Sequence, residues 1–352
     1  MNVRERVHAV LTGGEPDKVP FTIYWQMVPK GEAGRRLREK GLGFWWRQSV
    51  LAWEYPNCDI KEVFYAEKGE HFRKVIYSTP VGEVTSLYRT GGLYGSDWQM
   101  TWPIKEKDDY RVMEFVANDA RPVERFEAFE RMAHNLGGDG YPVADFMYTP
   151  IMELIVRLVG YETSAYHMAD YSDAFWSLCE VLNNQRRRAY KVCARGPQKI
   201  LLYGGNCHPH VLGRERFEKH VVACLDEMAD ILHEEGKLVG AHLDADNGPW
   251  RDIVAASKID MVEAFTPPPD CDMSVAEARE AWPEKILGVN FPSSLHLAAP
   301  DVIREAVRKI LEESDGGRGI IMGITENVPE DRWEMSLDAM ADAINEFGRF
   351  AL

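Results

Sequence analysis

From about residue 140 onward the sequence repeats one pattern, a short and almost wholly apolar run followed by an amphipathic stretch. The runs are 141–146 (YPVADF), 199–204 (KILLYG), 237–242 (KLVGAH), 259–264 (IDMVEA), 286–291 (ILGVNF) and 319–324 (GIIMGI). Runs this short and this continuously apolar are the mark of strands buried on both faces of a parallel sheet. The stretches between them read as helices. Segment 213–235 carries Phe217, Val221, Cys224, Met228 and Ile231 at steps of three and four, with Gly236 placed to end it. Segment 300–314 opens with Pro300-Asp301 and lines up Ile303, Val307, Ile310 and Leu311 before Gly316-Gly317. Segment 249–257 opens with Pro249 after an Asn247-Gly248 turn, as a first-turn proline should. Alternation of this kind predicts a parallel sheet with helices outside it. A buried strand over 18–25 (KVPFTIYW), after the turn signal Gly13-Gly14-Glu15-Pro16, and a weaker one near 58–65 complete an α/β fold of the (β/α)8 TIM barrel type. The competing open doubly wound sheet loses ground because no G-x-G-x-x-G follows the first strand and no Walker loop is found.

A barrel of this class takes about 250 residues. A chain of 352 therefore leaves room for an N-terminal extension and inserted loops on a single domain, 1–352. One insertion is visible as a β-hairpin at about 70–90, from segments 70–77 and 82–89 joined around Thr79-Pro80-Val81, all rich in Val, Ile, Tyr and Thr. A formal charge of −15 disfavours a phosphate backbone as partner and otherwise reads as solubility. No run of eighteen apolar residues offers a membrane span, and Met1–Glu5 has no apolar core behind Arg4 to make a signal peptide. The cysteines at 58, 179, 193, 207, 224 and 271 form no C-x-x-C and read as reduced thiols of a cytoplasmic protein.

In a barrel of this type, functional side chains sit where strands end and loops begin. Those positions hold Tyr24 and Trp25, Asp145, Asn206, His242 with Asp244, Glu263, Asn290, and Thr325 with Glu326. His242 and Asp244 stand two apart at one strand end, Glu263 ends the next strand and Glu326 follows the last. An imidazole and three carboxylates form a donor set for zinc. The alternative is a barrel histidine with satisfied hydrogen bonds and carboxylates paired to Arg or Lys. His208 and His210, in GNCHPH, could be a ligand pair, and the simpler reading is a loop that happens to hold two histidines near the substrate mouth. Aromatics crowd the N-terminal region, among them Tyr24, Trp25, Phe44, Trp45, Trp46, Trp53 and Tyr55. Many are packing, but aromatic walls also suit a flat apolar ligand.

Taken in order, RERVHAVLTGGEPDKVPF, GNCHPHVLGRERFEKHV, GKLVGAHLDADNG and RGIIMGITENVPEDRW make the chain resemble the uroporphyrinogen decarboxylase-like superfamily over nearly its whole length. That superfamily holds the decarboxylase, the corrinoid-linked methyltransferases of methylotrophic methanogens and of anaerobic O-demethylase systems, and, more distantly, cobalamin-independent methionine synthase. Its zinc-dependent methyltransferases use a His-x-Cys at one strand end and a further Cys near the last strand, and the methionine synthase branch adds a Glu between them. The resemblance places His242 on the His, Asp244 on the first Cys, Glu263 on the Glu and Glu326 close to the last Cys. Both thiolates are thus replaced by carboxylates, a harder set that suits an oxygen-bearing substrate better than a thiol. The decarboxylase's Arg-Gln-Ala-Gly-Arg segment is represented here by Glu32-Ala33-Gly34-Arg35-Arg36, without its first arginine, and its late Gly-His-Gly by Gly323-Ile324-Thr325-Glu326. An acidic chain lacking those cations is a poor match for a polycarboxylate tetrapyrrole.

The resemblance therefore implies a metal-dependent methyltransferase. It would move a methyl group from a small methylated substrate, a methoxy-aromatic in an O-demethylation, to the cobalt of a corrinoid (cobalamin) carried by a partner protein. Zinc would be held by His242, Asp244, Glu263 and Glu326, with His242, Asp244 and Glu326 as the catalytic groups. Asp145, Asn206 and Asn290 would orient the substrate, Tyr24 and Trp25 would contact its ring, and His208 and His210 would border it. The alternatives are a decarboxylase of a small acid on the same barrel and a ligand-binding barrel without catalysis. Nucleic acid and membrane are not expected partners, and a homodimer is.

Overall fold

The computed structural model describes residues 1–92, 95–326 and 328–350. Fourteen strands occur among them. They are β1 (Phe21–Tyr24), β2 (Leu42–Gln48), β3 (Leu51–Glu54), β4 (Asp59–Glu67), β5 (Glu70–Thr79), β6 (Gly82–Thr90) and β7 (Trp98–Thr101). Then follow β8 (Arg121–Glu124), β9 (Gly140–Asp145), β10 (Ile200–Tyr203), β11 (Leu238–His242), β12 (Met261–Phe265), β13 (Ile286–Asn290) and β14 (Ile320–Ile324). The chain gathers into two compact units, one of residues 1–50, 126–146 and 197–352, the other of 51–125 and 147–196.

The first unit holds a closed barrel of eight parallel strands in the order β1-β2-β9-β10-β11-β12-β13-β14, with β14 pairing back to β1. This is the α/β TIM-barrel fold that the alternating pattern predicts. The runs expected from 140 onward are all barrel strands, and most of their side chains are buried. Its helices follow the amphipathic stretches. Pro300–Glu312 buries Ile303, Val307, Ile310 and Leu311, as their spacing requires. The helix expected over 213–235 is built in three pieces, Pro209–Arg216, a π-helical turn over Phe217–Val222, and Ala223–Glu234. Gly213 breaks it with φ +67°, and Gly236 ends it at φ +64°, where its amide donates to the His233 carbonyl.

One barrel strand was misplaced by the sequence pattern. The weak candidate near 58–65 is β4, outside the barrel, and the second barrel strand is β2. Segment 59–67 is almost wholly exposed, because it carries Asp59, Lys61, Glu62 and Glu67 among its apolar residues. In β2 the bulky Phe44, Trp45 and Trp46 supply the strand preference, and their density reads more readily as loose packing than as a strand.

The second unit contains the expected hairpin, β5 with β6, extended on both sides into an antiparallel sheet of order β4-β5-β6-β7. A short antiparallel pair, β3 with β8, joins the segments before and after it. Helices Asp109–Asp119 and Ser172–Arg195 bury Tyr110, Val112, Met113, Phe175, Leu178 and Leu182 in this unit's own core. Among the described residues no helix is long and apolar enough to cross a membrane.

Candidate active site at the barrel mouth

Neighbouring strands β11 and β12 set His242 directly beside Glu263 in register. Glu263 is 2% exposed, and it enters the site through a bulge. Val262 pairs with Leu287 and Phe265 with Val289, so Glu263 and Ala264 together oppose the single residue Gly288. Ala264 turns through φ +60°, a left-handed conformation that costs a β-carbon residue about 1–2 kcal/mol. Bulges of this kind re-aim a side chain at the rim of a barrel.

Both oxygens of Glu263 are engaged. Oε2 receives a short hydrogen bond from His242 Nδ1, and Oε1 accepts one from the Tyr24 hydroxyl at 2.8 Å. The same hydroxyl accepts from Arg47 Nη1 at 2.9 Å. Arg47 in turn grips Asp145 Oδ1 through Nη2 at 2.6 Å and Nε at 3.2 Å. On the other side of the imidazole, His242 Nε2 lies 3.3 Å from Asp244 Oδ2. One continuous polar chain therefore runs Asp145–Arg47–Tyr24–Glu263–His242–Asp244 and draws on β9, β2, β1, β12 and β11.

The charges respond accordingly. Burial works against a protonated His242, but Glu263 and Asp244 outweigh it and raise the imidazole to about 10. Burial also opposes ionisation of Glu263, and His242, Arg47 and Tyr24 hold its carboxyl below the usual range all the same. Asp244 is lowered by His242 against its own desolvation. Glu326 moves the other way, because desolvation and the facing carboxylates of Asp244 and Glu263 raise it. Its neighbour Asn327 lies outside the described residues.

Asp244 sits on a loop whose geometry the motif DADNG dictates. Asn247, 1% exposed, donates to the carbonyls of Leu243 and Ala245 and accepts from Trp250 Nε1, folding the loop around its own amide. Asp272 caps the amides of Asn247 and Gly248 from the next loop. Asn290 acts in the same structural way. Its Nδ2 donates to Thr266 Oγ1 at 3.1 Å and its Oδ1 accepts from the Thr325 amide at 2.9 Å, which ties the ends of β12, β13 and β14 together. Beneath Glu263 lies a cavity of about 10 Å³, room for one water, lined by Thr22, Tyr24, Trp45, Ala264 and Thr325 among others.

Of the residues singled out in the sequence, Tyr24, Asp145, His242, Asp244 and Glu263 come together in one chain, and Glu326 couples to it electrostatically. Trp25 goes elsewhere. It stacks on Trp46 with centroids 4.7 Å apart. Strand alternation puts Trp46 on the face of β2 opposite Trp45 and Arg47. His208 is a helix N-cap, its Nδ1 accepting from the His210 amide at 3.2 Å with Pro209 in the first turn, and His210 is exposed. Asn206 is exposed and takes φ +56°, which asparagine tolerates better than most residues. Sequence reasoning missed Arg47, although a lone arginine in an aromatic strand one pleat from Trp45 was a signal once β2 is read as barrel.

Two donors 3.3 Å apart match the edge of a tetrahedral site, where bonds of about 2.1 Å put ligands about 3.4 Å apart. A carboxylate on the far ring nitrogen is also the usual companion of a metal-bound histidine. These two donors are of the type and spacing that a divalent ion takes, and two donors alone do not make a site. Among the described residues no three His, Cys, Asp or Glu side chains are placed to hold one as they stand.

The sequence profile of the uroporphyrinogen decarboxylase (URO-D) family matches residues 98–347. No curated protein matches the chain. Among solved structures, a methyltransferase from Methanosarcina mazei aligns over 99% of both chains with a TM-score of 0.58 and 15% identity, a likeness of fold. An isomerase from Streptomyces coelicolor A3(2) covers 73% of this chain and 69% of its own, with a TM-score of 0.25 and 12% identity.

Proposed function

The chain belongs to the uroporphyrinogen decarboxylase family, and we propose that within it this barrel is a metal-dependent methyltransferase. Its substrate is a small methylated compound, a methoxy-aromatic, and its methyl acceptor is the cobalt of a corrinoid carried by a partner protein. The observation that carries this reading is the two-sided clamp on His242. Glu263 fixes Nδ1, so Nε2 is directed at Asp244 across a gap that suits a shared ion.

In this reading His242 Nε2 and Asp244 are ligands and Glu326 is the third donor. Glu263, with both oxygens engaged, orients His242 in place of binding the ion itself. Zinc held there would supply Lewis-acid polarisation of the ether oxygen, and a donor set of imidazole and carboxylates favours such an oxygen over a thiol. The chain's own residues do the positioning. Tyr24 and Arg47 lock the Glu263 carboxylate, Asn247 holds the Asp244 loop, and Asn290 holds the turn that leads to Glu326. The rival reading, decarboxylation of a small acid, would need a cation for the substrate carboxylate. The cations within this chain of side chains are already neutralised, Arg47 by Asp145 and the protonated His242 by Glu263 and Asp244.

The test is metal content by plasma mass spectrometry on protein purified without chelator, beside an Asp244→Ala variant. Methyl transfer from methoxy-arenes to a reduced corrinoid carrier is then assayed for both. Near-stoichiometric zinc and transfer in the parent, both lost in the variant, are expected. A metal-free parent that releases carbon dioxide from a small acid without any corrinoid would overturn the reading in favour of the lyase.

A further inference from the structure

We propose that this chain forms a homodimer by pairing the outer edge of β4 with the same edge of a second copy, antiparallel about Phe64, so that two four-stranded sheets become one. Among the described residues β4 hydrogen-bonds to β5 and to no other strand. It is nine residues long and exposed at every position but Ile60. Its centre is apolar on both faces, with Val63 45% and Tyr65 39% exposed on one face and Phe64 67% exposed on the other. Its pairing with β5 runs unbroken from Asp59 to Glu67, with no bulge to twist the edge away. A long, regular edge with an apolar centre is a template that folded proteins otherwise avoid leaving open.

The opposite edge of the same sheet shows what such avoidance looks like. Strand β7 has four residues, its pairing with β6 is interrupted between Leu87 and Tyr88, and the Gln99 side chain reaches out to the Arg157 carbonyl at 2.9 Å. What blunts β4 is its charge, Asp59, Lys61, Glu62 and Glu67, and the proposed register turns Lys61 and Glu67 into a contact.

A second copy is the occupant because β4 is complementary to itself. Pairing about Phe64 sets Phe64 against Phe64 of the partner subunit, Val63 against Tyr65 of the partner subunit, and Lys61 against Glu67 of the partner subunit, each of the last two occurring twice by symmetry. Directly opposed residues share a face, so apolar meets apolar and cation meets anion. The neighbouring registers fail on the same chemistry. Pairing about Val63 opposes Asp59 to Glu67 of the partner subunit, and pairing between Val63 and Phe64 sets Glu62 against Tyr65 and Ile60 against Glu67 of the partner subunit.

Sedimentation velocity on the whole protein tests this with Lys61→Glu, Glu67→Lys and the double reversal. The parent is expected to be a dimer, and each single reversal creates two like-charge pairs and should raise the dimer Kd about tenfold. The double reversal restores opposite charges and should return the Kd to the parent value. Both positions are on the surface, so folding is not in question. A Phe64→Cys variant, oxidised at equilibrium, should run as a covalent dimer where the parent does not. A monomeric parent at high micromolar concentration, a dimer indifferent to both single reversals, or singles that the double reversal fails to rescue would overturn the proposal.

Discussion

Removing one oxygen atom tests the polar chain behind His242. The Tyr24 hydroxyl donates to Glu263 Oε1 at 2.8 Å and accepts from Arg47 Nη1 at 2.9 Å, within a site where Glu263 is 2% exposed. Tyr24→Phe keeps the ring and deletes both bonds. A hydrogen bond to a charged group contributes about 1.5–3 kcal/mol, so two give a ceiling of roughly 3–6 kcal/mol. Arg47 retains Asp145, and water can reach the neighbouring cavity, so a loss of about 3 kcal/mol is the expected outcome in urea denaturation. Most of the cost lies in leaving the Glu263 carboxylate short of a donor. Repeating the substitution in a Glu263→Gln background should therefore recover at least about 1 kcal/mol of it, a coupling read directly from the double-mutant cycle. Additive losses, or a Tyr24→Phe cost below about 1 kcal/mol, would refute the claim that this hydroxyl supports the buried carboxylate.

Two further outcomes follow from single residues. His296 is 1% exposed, bonds Ser336 Oγ at 2.5 Å, and burial holds its imidazole down at about 4 against an ordinary 6.5. Between those values the unfolded chain binds a proton that the folded chain refuses. Stability is therefore complete above about pH 6.5 and falls as the pH drops toward 4, by up to roughly 3 kcal/mol. Denaturation midpoints across that range should lose most of this slope in His296→Asn, and an unchanged slope would count against it. Ala264→Gly relieves the left-handed backbone at φ +60° but adds freedom to the unfolded chain, for a net gain of about 0.5–1 kcal/mol. A calorimetric Tm that falls instead of rising would show that the bulge is not strained.

What the sequence determined by itself was the alternation. A strand covered on both faces must be apolar at nearly every position, and a helix packed on one side must be apolar at every third or fourth. Both rules are local, so the barrel strands after residue 140 and the Ile303–Leu311 face could be read without a structure. The ends of those strands were legible too, since a polar residue ending an apolar run has few reasons to be there. His242, Asp244 and Glu263 were found in that way. The division of labour among them was decided only in three dimensions. That Glu263 stands behind His242, with Tyr24 and Arg47 holding it, depends on β1 closing against β14 at the far end of the chain and on β2 lying between β1 and β9. Closure of a barrel leaves no periodic trace in either segment. Ala264 carries no mark of its bulge, because alanine is an ordinary residue whose left-handed turn is imposed by the register of β12 on β13. The exchange of β4 for β2 has the same cause. Each segment can form a strand on its own, and only the burial that tertiary packing offers decides which one enters the barrel.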